Sequence, residues 1–304
     1  MTIKRTMRLA AAAIMCTVAL HFSPQPTSVE AQGNCPTDSF LNVSNYTPTG
    51  YATPTLSVEC SASTMTVRSN GIPNFEYVQV TPNRLTQQNY AWQIPLNPQK
   101  ASAPSQIPLV GAVAIAVNGL PIFGPNEAPF DDYGDPYLDG LLDYCGGHTA
   151  PGGVYHFHAP MNCLFSNLQN NPNLIVGYAF DGYPIYAPYI CTDPSCQQVR
   201  EVSSSWQRTQ NVRNAWQAHQ YVAGSGDLDQ CNGMTMPDGS YRYFATDTFP
   251  YFLGCYTGVA TNHGGQGGGM AGGQGAQGGQ PPQAGQGNPP AGLNPPGGRP
   301  PRRP

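Results

Sequence analysis

The sequence predicts an all-β or mainly β domain that is stapled by disulfides, has few helices and contains an internal duplication of two similar halves. Three observations lead to this fold class. Short runs of β-branched and aromatic residues alternate with Gly, Pro and Asn turns through the middle of the chain. An even number of cysteines follows the N-terminal leader. Residues 142–159 and 228–245 are identical at nine of 18 positions when aligned without a gap.

Residues 1–31 have the pattern of a secretory signal. Lys4, Arg5 and Arg8 form a charged start, an apolar run over residues 9–20 follows, and Val29-Glu-Ala31 resembles a cleavage site between small residues. The apolar run is too short for a comfortable transmembrane span. We therefore expect a secreted protein, extracellular or periplasmic, without a transmembrane anchor.

Eight cysteines remain after this leader: Cys35, Cys60, Cys145, Cys163, Cys191, Cys196, Cys231 and Cys255. An even count in an exported chain favours disulfides, although eight cysteines allow 105 pairings. The duplication suggests equivalent bridges Cys145–Cys163 and Cys231–Cys255, with a local bridge Cys191–Cys196 and a bridge Cys35–Cys60 near the N-terminus. The alternative, thiolate binding of a metal, is disfavoured by an oxidising compartment.

The order of the predicted strands and turns supports the predicted duplication. Residues 56–60 and 64–68 alternate across a polar turn and predict a hairpin. Apolar runs over 110–117 and 175–180 predict buried strands. Each run leads into a similar turn block, residues 118–125 and 181–188, and each turn block precedes one of the two aligned stretches.

A helix is predicted over residues 204–219, as an insertion between the second turn block and the second aligned stretch.

The domain organisation follows from composition. Residues 32–109 form a β-rich N-terminal part, and residues 110–263 form the main domain, with the repeat at 118–159 and 181–245. Residues 264–304 are almost wholly Gly, Pro, Gln, Ala and Asn, a composition typical of a disordered tail. The net charge of −4 provides no basic face for nucleic acid.

The first aligned stretch contains three of the five histidines that follow the leader. His156 and His158 are two apart, so on a strand they share a face. A Gly/Pro-rich turn at 149–153 can return His148 over that strand. Three imidazoles with an open position suit a zinc or copper ion, and Asp143 is a candidate fourth ligand or a residue that orients one imidazole.

Each site residue also has a purely structural interpretation. The three histidines align with Met234, Arg242 and Phe244 in the second stretch, so the scaffold does not need histidine. Buried histidines that bond to backbone carbonyls are the structural alternative, and the joint loss of all three in the second stretch makes it the less favoured one. Aspartates are also frequent just before the site and predict a solvated loop, an oxygen-ligand calcium site, or negative charge placed near the cation: Asp131, Asp132, Asp135, Asp139 and Asp143.

The segment Tyr155-His156-Phe157-His158 resembles the signature of the YHYH-domain family, with Phe in place of the second Tyr. Asp143-x-Cys-Gly-Gly-His148, the turn block from Phe180 to Tyr186, and Leu228-Asp-x-Cys-Asn-Gly233 resemble further blocks of that family. The resemblance covers roughly residues 110–258. It implies a secreted or surface protein and brings no activity with it.

Three functions are compatible with these patterns: a secreted metal-binding protein, a secreted metalloenzyme on the same histidines, and a disulfide-stapled surface or matrix module without metal. The sequence lacks a glycine-rich nucleotide loop between a strand and a helix, a G-x-S-x-G elbow and an HExxH motif. No substrate or partner class follows from the residues, and whether the protein is an enzyme stays open.

Overall fold

The computed structural model describes residues 35–261. The predicted signal at 1–31, the tail at 264–304, and His263 lie outside the described residues. Within the described part the chain is mostly strands with few helices, as the sequence predicts. No helix between residues 35 and 261 is long and apolar enough to cross a membrane.

The described strands are short, with three to six residues each. In chain order they are β1 (Leu56–Cys60), β2 (Thr64–Ser69), β3 (Tyr90–Pro95), β4 (Lys100–Ser105), β5 (Ala112–Ala116), β6 (Pro121–Phe123), β7 (Gly147–Ala150), β8 (Val154–Phe157), β9 (Ile175–Ala179), β10 (Pro184–Tyr186), β11 (Tyr189–Cys191), β12 (Val199–Glu201), β13 (Trp206–Arg208), β14 (His219–Tyr221), β15 (Gly233–Thr235), β16 (Tyr241–Phe244) and β17 (Tyr256–Gly258). One α-helix, α1 (Ala215–Ala218), and four 3-10 turns occur in the part that the structure describes: Thr37–Ser39, Val43–Asn45, Pro129–Asp131 and Asn162–Leu164.

The predicted N-terminal hairpin is confirmed. Strands β1 and β2 pair antiparallel with Leu56 opposite Ser69, and β3 extends them into a three-stranded sheet. Met65 and Val67 alternate with more exposed neighbours and are buried, as the period of a half-buried strand requires. They share one apolar core with Val113 and Phe157 of the main sheet, so residues 35–109 pack on the domain that carries the histidines.

The main sheet has eight strands in the order β15-β16-β10-β9-β5-β6-β8-β7. The order is symmetrical about the antiparallel β5–β9 pair. On each side an antiparallel pair comes first, β5–β6 or β9–β10, then a parallel neighbour, β8 or β16, and then the antiparallel edge strand β7 or β15. A duplicated unit would produce this symmetry, and the duplication itself stays a prediction.

The predicted helix over residues 204–219 is wrong for most of its length. Strands β13 and β14 form an antiparallel pair there, and only the single turn α1 is helical, capped by the Asn214 side chain, which accepts the Gln217 N–H at 3.1 Å. Trp206 and Trp216 both pack on Phe249, at ring distances of 5.4 and 5.1 Å. The spacing of the two tryptophans therefore reflects a hairpin that folds over one aromatic ring, and it does not reflect one face of a helix.

Four disulfides are present among the described residues, and all four have the expected partners: Cys35–Cys60, Cys145–Cys163, Cys191–Cys196 and Cys231–Cys255. Cys145 and Cys231 lie at equivalent positions in the two aligned stretches. Their bridges therefore enclose the outer strand pairs β7–β8 and β15–β16.

Candidate metal centre

Asp143 holds the turn that leads into β7. Its carboxylate accepts the Tyr155 hydroxyl at 3.0 and 2.9 Å, and its Oδ1 accepts the backbone N–H groups of Cys145 and Gly147 at 2.8 and 3.2 Å. The tyrosine can reach the carboxylate because Gly147 has no side chain, since an added Cβ would lie 2.6 Å from the hydroxyl. Burial raises the pKa of Asp143, while these hydrogen bonds act in the opposite direction.

The second aligned stretch, residues 228–245, repeats this arrangement without histidines; we call the side of the sheet that carries it the second half. Asp229 accepts the Tyr241 hydroxyl at 3.1 and 3.0 Å and the N–H groups of Cys231 and Gly233 at 2.9 and 3.1 Å. The Asp–Tyr pair is therefore a feature of the scaffold in both halves.

The β7–β8 hairpin brings the histidines together. His148 lies directly opposite His156, as expected from the turn between them, and Gly153 in that turn has φ +75° and no room for a Cβ beside Thr86. His158 follows β8 by one residue and lies on the same side as His156. The alternate residues, such as Phe157, point into the core against Phe75.

Each of the three imidazoles is fixed by a backbone carbonyl. Nδ1 of His148 lies 3.2 Å from the Leu141 oxygen, Nδ1 of His156 lies 3.1 Å from the Val154 oxygen, and Nδ1 of His158 lies 2.6 Å from the Gly124 oxygen. Because a carbonyl oxygen only accepts, each Nδ1 carries the hydrogen. In the neutral rings every Nε2 then presents a lone pair, which is the state in which histidine binds a metal.

The three ligand atoms converge in a buried space. They lie within 4.8 Å of one another, and Nε2 of His156 is 2.9 Å from Nε2 of His158. The side chains are nearly inaccessible, with His158 only 1% exposed. Burial lowers the pKa of His158 to about 3 and the pKa of His156 well below its usual value, and nearby histidines lower both further. Burial also lowers the pKa of His148.

A carboxylate that the sequence analysis missed lies against this cluster. Glu127 Oε1 is 3.1 Å from Nε2 of His148 and is buried, yet it accepts no hydrogen bond. The distance is that of an ion pair, but His148 already uses its Nδ1 hydrogen on Leu141, so its neutral ring has no hydrogen for Glu127. Burial raises the pKa of Glu127. No local sequence pattern marks Glu127, which follows the first turn block by two residues, as a neighbour of the histidines.

Asp143 is not part of the convergent group of ligand atoms, which contains the three histidines. Three other aspartates of the predicted acidic loop make packing or surface contacts. Asp135 is buried and accepts the Tyr251 hydroxyl at 2.7 Å, while Asp131 and Asp139 pair with Arg213. His219 is also separate, since it stacks on Phe249 and its Nδ1 lies 2.8 Å from the Ala215 oxygen.

The counterpart of the cluster in the second half is filled with other chemistry. Phe244 is fully buried in a small apolar cluster, and Met234 packs against it. The Arg242 guanidinium lies 4.3 Å from the centre of the Tyr186 ring. Both halves thus have the same Asp–Tyr scaffold. In the first half it supports the polar cluster of three histidines, and in the second half it supports a mainly apolar cluster.

Fold and site together define a β-rich, disulfide-linked protein with a buried cluster of three histidines. The family model described as YHYH protein matches residues 91–258, more than half of the chain. The chain therefore belongs to the YHYH family. Neither the curated proteins nor the solved structures contain a match to it.

Proposed function

We propose that this protein is a secreted metal-binding protein in which His148, His156 and His158 hold a zinc or copper ion. The observation that carries the proposal is the fixed orientation of the three rings. Each Nδ1 is committed to a carbonyl, so three Nε2 atoms turn toward one buried point. Metal-binding histidines usually have this second hydrogen bond, because it sets the tautomer and the ring direction.

The contact between His156 and His158 is difficult to explain without a cation. At 2.9 Å the two Nε2 atoms are within hydrogen-bond distance, but in the neutral rings neither carries a hydrogen. An extra proton would create an imidazolium ion in a fully buried place, and burial disfavours that form. A divalent cation accepts both lone pairs at once and removes the conflict.

The second half argues against a structural requirement for these histidines. It keeps the Asp–Tyr scaffold and the strand pairing but has Met234, Arg242 and Phe244 at the aligned positions. We infer that Asp143, whose bonds are repeated by Asp229, positions the turn before His148 and is not a ligand. The symmetrical order of the main sheet supports the proposed duplication in the same way.

Secretion is supported by two features. The leader has the charged and apolar composition of a secretory signal, and four disulfides suit an oxidising compartment. A bound ion in such a protein would act as a Lewis acid on whatever occupies its remaining coordination positions.

The test is elemental analysis of protein purified without an affinity tag. Wild type and Arg242→Ala are expected to contain stoichiometric zinc or copper, and His156→Ala is expected to contain neither. Arg242 is the matched control because it occupies the position of His156 in the other half. Equal metal content in wild type and His156→Ala would refute the proposal and leave the histidines with a structural role.

A further inference from the structure

We propose that Glu127 is the fourth ligand of this metal centre, so that the site consists of three imidazoles and one carboxylate. The inference rests on the proposed function, because it concerns the same ion. It adds a residue that lies outside the YHYH-like motif and contributes a negative charge and an oxygen donor. Four independent features of the described residues support it.

The first feature is distance. Two donors bonded to one ion at about 2.0–2.1 Å are about 3.3–3.4 Å apart at the tetrahedral angle and about 2.8–3.0 Å apart at a right angle. The Oε1–Nε2 distance between Glu127 and His148 is 3.1 Å, and the Nε2–Nε2 distance between His156 and His158 is 2.9 Å. Each of these two pairs therefore has the spacing of neighbouring ligands of an ion. A carboxylate that only took a proton from a metal-bound water would lie further out.

The second feature is the unsatisfied oxygen. The Glu127 side chain is only 12% exposed and its Oε1 atom is buried, yet no group donates a hydrogen bond to that oxygen. Leaving a buried carboxylate oxygen unpaired is costly. Arg213, the cation nearest along the loop, pairs with Asp131 and Asp139. The convergent group of ligand atoms contains only the three histidines, and Glu127 contacts it at His148, so its carboxylate would shift toward the cluster to share a cation with all three rings.

The third feature is the rigid placement of Glu127. Its backbone N–H donates to the Gly134 oxygen at 2.7 Å. Its own carbonyl accepts the Asn126 side-chain amide at 2.8 Å, and the Asn126 Oδ1 accepts the Trp216 indole N–H at 2.8 Å. These bonds fix the backbone of Glu127 beside the cluster, which lowers the entropic cost of binding, while its carboxylate stays able to turn toward an ion.

The fourth feature is the counterpart of Glu127. Continuing the match of the two turn blocks past Pro125 and Pro188 aligns Glu127 with Ile190. Ile190 lies in the same apolar cluster as Phe244, the counterpart of His158. The glutamate is thus replaced together with the histidines, whereas Asp143 is kept as Asp229. Glu127 follows the pattern of the ligand set and not that of the scaffold.

A carboxylate ligand also affects the choice of ion. Hard oxygen donors favour divalent ions, and soft Cu⁺ prefers thiolate or thioether ligands. Imidazole and carboxylate ligands suit Cu²⁺, which also reports its ligands through its electron paramagnetic resonance spectrum. We therefore expect Cu²⁺ to bind tightly and to leave a coordination position for water or another small ligand.

The experiment uses the full mature protein, freed of metal and titrated with Cu²⁺ against a competing chelator. Glu127→Gln keeps the shape but loses the charge, and Glu59→Gln, an exposed residue on β1, is the matched control. Glu127→Gln is expected to weaken Cu²⁺ binding by more than about 100-fold, beyond the loss usual for a residue that only supports a ligand. The electron paramagnetic resonance spectrum of bound Cu²⁺ should change in Glu127→Gln and stay unchanged in Glu59→Gln.

The outcomes separate the two proposals. If wild type binds no metal, both fail. If wild type binds Cu²⁺ and Glu127→Gln binds it with similar affinity and an unchanged spectrum, only the ligand role of Glu127 is refuted. A loss of 100-fold or less with an unchanged spectrum would make Glu127 a positioning residue and would also refute it. Circular dichroism of the metal-free variant checks the fold, which should persist because the substitution removes an unpaired buried charge.

Discussion

The paired hydrogen bonds from Tyr155 to Asp143 and from Tyr241 to Asp229 allow a controlled test of scaffold and site. Replacing either tyrosine with Phe removes one hydroxyl that spans both carboxylate oxygens at 2.9–3.1 Å. Two backbone N–H groups remain on each carboxylate. A hydrogen bond to a charged group contributes about 1.5–3 kcal/mol. Each substitution should therefore lower the free energy of unfolding by about that amount.

The assay is urea denaturation of the metal-free protein at pH 7. For a domain of this size each kcal/mol corresponds to about 2–4 °C in melting temperature, so calorimetry gives a second measurement. The two variants should lose similar stability because their hydrogen bonds are equivalent. The two variants should differ in metal affinity. Only Tyr155→Phe loosens the turn before His148, and this should lower the metal affinity by about 10–100-fold.

The pH dependence follows from the carboxyl group. The Tyr155 hydroxyl lowers the pKa of Asp143, which burial raises, so Tyr155→Phe raises this folded-state pKa further. The advantage of wild type is then fully present above the raised pKa of Asp143 in the variant, and it is lost as the pH falls from there through the lower wild-type pKa. Losses below about 0.5 kcal/mol in both variants would refute the energetic role of the pair. A greater loss of metal affinity in Tyr241→Phe than in Tyr155→Phe would refute the assignment of the site to the first half.

Three further predictions follow from other features. Burial lowers the pKa of His158 to about 3, so its ring stays neutral in mild acid. Bound metal should therefore persist at about pH 5.5, one unit below the usual histidine pKa. Release of the metal already at about pH 6.5 would contradict this. Replacing Cys145 and Cys163 together with Ala should cost about 2–5 kcal/mol in urea denaturation, and non-reducing peptide mapping should recover this pair from wild type. Deleting residues 264–304 should leave the melting temperature unchanged, since their composition cannot form a core; a drop of several degrees would show that they dock on the domain.

Local sequence patterns determined much of this protein. The period of two placed His156 and His158 on one face, and the Gly/Pro turn returned His148 across from them. The alignment of residues 142–159 with 228–245 led to the correct pairing of the cysteines. These features depend on neighbours in the chain or on a repeated motif, so no knowledge of distant contacts was needed.

Tertiary structure decided what depends on residues far apart in the chain. Glu127 reaches His148 from a loop 21 positions earlier, and the Gly124 carbonyl that fixes His158 lies 34 positions earlier. Neither position has a periodic pattern, so their roles follow only from the folded loop. The strands β13 and β14 likewise replaced the predicted helix because Phe249, outside that stretch, binds both of its tryptophans. Hydrophobic spacing along a short segment is compatible with a helix or a hairpin, and packing against a distant ring selects between them.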